Sequence, residues 1–232
     1  MNAIDQLDRA EEIIQKLDRN VRHAIYLGEY FARGAYNGNA VRKHFDNSTA
    51  AHGYNLVLDS LYFELVLTMA RLYDDPVKGG KADNTASVPI VMEILLDPLV
   101  MEELRKRLMQ RHAPDRSAIG PDGSTIALVV QMAEKGVEEK LNAIGPLRNT
   151  YKGHHLLQRI RTARNEFMAH TAMNPSKNNR VAYGDAEQLL ALTIPIVKQL
   201  QYSVRSTGAS YDREREIAVE TSDSFWKKIV SS

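Results

Sequence analysis

The stretch "LYFELVLTMARLYDD" (residues 61–75) sets Leu61, Leu65, Met69 and Leu72 at steps of three and four, so all four fall on one face of an α-helix. Leu58 extends the stripe upstream, and the periodic segment spans about residues 49–74. A longer one precedes it, residues 3–36, with Ile4, Leu7, Ile14, Leu17, Val21, Ile25 and Phe31 near one line. Both exceed the ordinary globular helix of roughly 10–14 residues. Alternation of period two is not sustained anywhere, so the fold class is all-α: a bundle of long, roughly antiparallel helices with a short C-terminal helix.

Breaks in the pattern place the loops. "DDPVKGGKADNTAS" (74–87) and "APDRSAIGPDG" (113–123) are rich in proline, glycine and small polar residues. Asp97 followed by Pro98 reads as an N-cap with proline at the first helical position. Ser124 is placed to cap a helix holding Ile126, Leu128, Val129 and Met132, and "GPL" (145–147) to separate it from the next. Asp185 with Gln188 resembles a capping box, and Pro195 should kink the helix that follows or end it. Residues 1–205 then form one bundle. Residues 206–232 form a charged tail whose Phe225 and Trp226 are expected to dock on the bundle or on a dimer partner.

Composition narrows the function. The chain has 232 residues, 44% hydrophobic and 25% charged, enough for a real core. It has no cysteine, which excludes disulfides and thiolate metal sites. The N-terminal residues are charged every few positions and lack the apolar block of a signal peptide. The oiliest window, "VPIVMEILLDPLVM", is interrupted by Glu93 and Asp97 and is too short for a bilayer span. A cytoplasmic protein with no membrane partner is expected. No histidine sits in a Glu-x-x-His unit or a His-x3-His pair, and no phosphate loop or dinucleotide fingerprint occurs, so no metal or cofactor is expected.

Charge is distributed unevenly. Between Glu139 and Asp185 lie Lys140, Arg148, Lys152, Arg159, Arg161, Arg164, Lys177 and Arg180 against one acid, Glu166. The net charge of the whole chain is +1, so the +7 of this stretch is offset by −6 elsewhere. Two readings stand: an anionic partner such as nucleic acid, or a basic helix lying against acidic helices. At about 100° per residue, with Ile160 at zero, Leu156, Leu157, Ala163 and Phe167 form an apolar stripe and Arg164 falls inside it, near +40°. A guanidinium there must be paired, reach a groove or face another subunit. Glu64, Asp74 and Asp75 are the candidate partners within the chain. His170 lies at the stripe's edge, where Glu166 could hold it, and Asn165 faces away. His154 and His155 also face away, toward solvent.

The string "RNEFMAH" is an arginine, a polar residue and, after five intervening positions, a histidine. On a late helix of an all-α chain this resembles the HEPN superfamily. "LYFELVLTMARLYDD", "MAHT" and the C-terminal "SFW" are similar to its abortive-infection, AbiU-like branch, over about residues 10–230. The resemblance implies a HEPN-like bundle and a metal-independent endoribonuclease that works as a dimer in antiviral or toxin-antitoxin defence. Carried residue by residue, Arg164 and His170 would be catalytic and Asn165 accessory. Arg148, Lys152, Arg159 and Arg161 would bind RNA, and a cognate antitoxin protein would be a possible partner. The residue types suit this chemistry: imidazole moves protons near neutrality and a guanidinium grips phosphate oxygens. On a straight helix the two side chains point about 120° apart and stand about 9 Å apart along the axis, so two copies meeting across a twofold axis would assemble the site, unless the helix is locally kinked. The alternative function is a helical RNA-binding or protein-interaction module without turnover. A DNA-binding regulator would need a helix-turn-helix pattern that is not visible.

Overall fold

The computed structural model describes residues 1–35, 39–45, 48–74, 86–112, 123–165 and 181–231, except the side chains at 39 and 123–126. The described residues contain helices and no strand, as expected for an all-α bundle. In order these are α1 (Ala3–Ala35), α2 (Asn39–Phe45), α3 (Ala51–Leu72), α4 (Val88–Leu95), α5 (Pro98–His112), α6 (Gly123–Asn142), α7 (Ile144–Tyr151), α8 (His155–Ala163), α9 (Tyr183–Leu200) and α10 (Tyr211–Ser231). A π-helical turn, Gln201–Arg205, follows α9. No helix among the described residues is long and apolar enough to cross a membrane.

The chain divides into two compact units. The first comprises Met1–Lys16, Asp75–Lys152 and Ile196–Gly208; the second comprises Leu17–Asp74, Gly153–Pro195 and Ala209–Ser232. In the first unit α5 packs on α6, and α4 on α5 and α7. Leu7, Ile14, Val91, Leu95, Leu104, Leu108 and Ile144 are almost wholly removed from water there. The window "VPIVMEILLDPLVM" therefore forms core helix, broken where Asp97 caps α5. The Asp97 carboxylate accepts from Leu99 N–H at 2.8 Å, and Pro98 occupies a position whose missing N–H leaves no helical bond unmade.

In the second unit α3 packs on α8, and α10 on α2. Leu65, Met69 and Leu72 of the α3 stripe are buried, as are Leu17, Val21 and Ile25 of α1. The Tyr73 hydroxyl, fully buried, meets the Thr193 hydroxyl at 2.9 Å, so the polar atom that accompanies its ring into the core is satisfied. The C-terminal helix docks through Trp226, which is 4% exposed and donates its indole N–H to the Tyr30 carbonyl at 2.9 Å. Gly34 permits that approach, since a Cβ there would stand 2.6 Å from both Leu58 Cδ2 and Trp226 Cζ2.

Three local expectations change. The segment 145–147 does not separate two helices, because Gly145 and Pro146 lie in the first turn of α7, where proline's missing N–H is harmless. The α6–α7 break falls just before it, at Ala143, and a second one precedes α8 at Lys152–His154, where Gly153 takes a positive φ of 78°. His154 is not simply solvated but caps α8, its Nδ1 accepting from Leu156 N–H at 3.4 Å. Asp185 is not an N-cap: α9 begins two residues earlier, and Asp185 reaches back to accept the Ala182 N–H at 2.7 Å. At Pro195, α9 continues to Leu200 and then widens into the π turn. The cap expected at Ser124 lies outside the described side chains.

Candidate functional site

The apolar stripe of α8 folds as its spacing dictates. Leu156, Leu157, Ile160 and Ala163 are buried against the second unit's core, and α8 rests on α3. The arginines interleaved with the stripe emerge at its margins, and each meets a defined partner. Arg159 Nη1 donates to Asp185 Oδ1 at 2.8 Å, and Arg161 Nη2 to the Tyr73 carbonyl at 2.6 Å.

Arg164 follows directly on the last residue of α8. Its Nη1 is ion-paired with the Asp74 carboxylate just beyond α3, and its Nε donates to Asn165 Oδ1 at 3.2 Å. Its side chain remains 28% exposed and that of Asp74 27%. Of the two candidate acids among the described residues, Asp74 engages Arg164 and Glu64 takes Arg71 at 3.2 Å; Asp75 lies outside the described residues. Asn165 is exposed, as its angle required.

The pairing accounts for a guanidinium in an otherwise apolar stripe. Asp74 supplies the opposite charge, and the Asn165 amide oxygen accepts at the Nε edge. Two of the five N–H donors of the guanidinium are taken by these partners, so a third acceptor can still be gripped.

His170 lies outside the described residues, as do Glu166, Phe167, Lys177 and Arg180. What the structure does give is the start of the spacer. The α-helical pattern ends at Ala163, and Arg164 and Asn165 take a π-helical one. A straight α-helix through the motif is therefore not what the chain forms at this end. π-Helical turns occur frequently at functional positions.

The remaining basic candidates differ from the three arginines. Arg148 on α7 and Lys152 just after it are exposed and hold no side-chain partner among the described residues. Both lie in the first unit, whereas Arg159, Arg161 and Arg164 lie in the second. Lys140 behaves otherwise, being buried with only 6% exposure, so it is no part of a solvated basic face. Nothing in the helical pattern distinguished it from its exposed neighbours. Among the described residues no three His, Asp or Glu side chains converge as a metal site would require.

Comparison with curated proteins and with solved structures finds no match. A family model does match, over residues 7–220, and it is that of HEPN_AbiU2, described as AbiU2. Most of the chain lies inside this span, including Asp74, Arg164, Asn165 and His170. The chain belongs to the AbiU2 family, a family of abortive-infection HEPN domains.

Proposed function

We propose that the protein is a metal-independent endoribonuclease of a defence system, with Arg164 and His170 as the catalytic pair and Asn165 as the residue that orients Arg164. The observation that carries this reading is the Arg164 side chain: fixed by Asp74 and Asn165, yet more than a quarter open to solvent at the end of α8. A purely structural arginine in that stripe has no use for an open edge. One that must receive a phosphate has to be held and exposed together.

The reaction needs no bound water or metal. His170 takes the proton of a ribose 2′-OH and returns it to the departing 5′-oxygen. The 2′-oxygen attacks phosphorus, the P–O5′ bond breaks, and the products are a 2′,3′-cyclic phosphate and a 5′-hydroxyl. Arg164 stabilises the charge that builds on the non-bridging oxygens, where a fixed donor is worth most. Arg148 and Lys152, with no partner of their own among the described residues, bind backbone phosphates of the RNA. Arg159 and Arg161 of α8 contribute to RNA binding. HEPN domains often act as dimers, and a homodimer held in check by a cognate antitoxin protein is the working assembly.

The test is incubation of the purified protein with total RNA in the presence of a chelator. Cleavage leaving cyclic phosphate ends, lost in His170→Ala, supports the nuclease. RNA that stays intact while still binding favours the second reading, a HEPN module without turnover. The occupied guanidinium of Arg164 is the observation that second reading rests on, because an ion pair can be its whole purpose.

A further inference from the structure

Among the described residues of the first unit, one buried charge has no opposite charge beside it. Lys140 on α6 donates from Nζ to His112 Nε2 at 2.9 Å and to Ser206 Oγ at 2.9 Å, and stands 5.0 Å from the centre of the Tyr202 ring. No carboxylate pairs with it among the described residues. Glu11 of α1 is taken by Arg111 and Arg107 of α5, each at 3.1 Å. The surroundings are held firmly: Ser203 Oγ donates to the Lys140 carbonyl at 2.9 Å, and Arg111 Nη1 to the Val204 carbonyl at 2.9 Å. Ser206 itself sits at a φ of 56°, a conformation serine seldom adopts, which closes the π turn.

The bond between Lys140 and His112 has a chemical requirement. An ammonium only donates, so His112 Nε2 must present its lone pair, which makes the imidazole neutral with its proton on Nδ1. Proton uptake by His112 would set two donors face to face at the same distance. An acceptor with several oxygens placed between them would satisfy both.

We propose that Arg111, His112, Lys140 and Ser206 form a binding site for a phosphate-class oxyanion, entered from the side of His112 and Arg111, both of which are exposed. The donor set suits that class: a guanidinium with N–H groups beyond the two that Val204 and Glu11 take, an ammonium, an imidazolium and a hydroxyl offer bonds to several oxygens of one tetrahedral anion. The bound anion supplies the charge that Lys140 lacks. Binding also brings a proton to His112, so it strengthens as pH falls toward and below the ordinary histidine range. The other charged and titratable groups facing the cluster are Glu11, Arg107, Arg111, Lys140 and Tyr202. Burial, and then the nearby Arg111, pushes the Lys140 amine down from its usual value. Loss of water, then Lys140 and Arg111, does the same to His112. An anion reverses both. The phosphate could be a free small anion or a phosphate of an RNA backbone, and this site stands whether or not the chain cleaves RNA.

The experiment is an NMR titration of the His112 ring against pH in the folded protein. It is run with inorganic phosphate, with a short single-stranded RNA, and with sodium chloride at matched ionic strength. Phosphate should raise the His112 midpoint above its chloride value. In Lys140→Met, affinity should fall by about tenfold to a hundredfold, the loss expected of one charge-assisted bond. His112→Gln keeps an acceptor for Lys140 but cannot take a proton, so binding, read there from the backbone amide shifts of Lys140 and Ser206, should persist and lose the part of its pH dependence that the imidazole contributes. A response to inorganic phosphate assigns a small-anion site, and a response to RNA alone, lost in Lys140→Met, assigns a backbone contact. A midpoint that neither ligand moves overturns the proposal. So does an equal shift in Lys140→Met. Should Lys140→Met fail to fold, the wild-type titration and His112→Gln still decide.

Discussion

Arg164, directly after α8, and Asp74, two residues beyond α3, are joined by an ion pair that ties the end of one helix to the end of the other within a single packed unit. Each side chain is more than a quarter exposed, so water screens the pair and its contribution to stability is modest. Its value is positional. A double-mutant cycle of Asp74→Asn and Arg164→Ala, read by chemical denaturation, should give a coupling of about 0.5–1 kcal/mol. A coupling of several kcal/mol would mark the pair as mainly structural.

Gly34 is the contact on which the docking of the last helix turns. Gly34→Ala places a methyl group against Leu58 and Trp226 and should destabilise by about 1–3 kcal/mol. Trp226 is the sole tryptophan, so its emission should move to longer wavelength as the ring is displaced toward water. Unchanged emission and stability would mean that α10 does not sit on α1 as described.

Tyr211 predicts a pH effect. Its hydroxyl donates to Asp18 at 2.7 Å, and burial, reinforced by that bond, pushes its ionisation well above the ordinary tyrosine value. The folded state therefore holds a proton that the unfolded state releases above about pH 10. Stability is full below that pH and falls as pH rises through and beyond it. Denaturation midpoints should drop more steeply above pH 10 in wild type than in Tyr211→Phe. Equal slopes would contradict the placement.

His112 gives the opposite sign. Its imidazole is pushed below the ordinary value, so the unfolded chain takes up a proton before the folded one does. Stability should fall as pH drops below about 6.5, and His112→Gln should lose that part of the decline.

The helices were legible in the sequence because burial repeats with the helical period. Leu65, Met69 and Leu72, and Leu7, Ile14 and Val21, are buried at the spacing that announced them. The Asp97 cap was legible too, because a side chain that caps its own helix needs no distant partner. What could not be read depends on contacts remote in the chain. Asp185 serves Arg159 and Ala182 together, and only the fold brings Arg159 to it. Lys140 looked like one more basic residue until the α5 end and the π turn closed around it. The change to a π pattern at Arg164 likewise leaves no mark in residue spacing. Arg164 itself was found by angle alone, as a cation in an oily stripe, and its partner was narrowed to three acids.

The most direct test of catalysis is the rate of RNA cleavage in metal-free buffer by wild type and by Arg164→Lys, with folding of both checked by circular dichroism. Lysine keeps the charge but loses the fork. If Arg164 grips the transition state, the rate should fall by about a hundredfold or more while RNA still binds. A wild-type protein that leaves RNA intact, or an Arg164→Lys protein that cuts as fast as wild type, would contradict it.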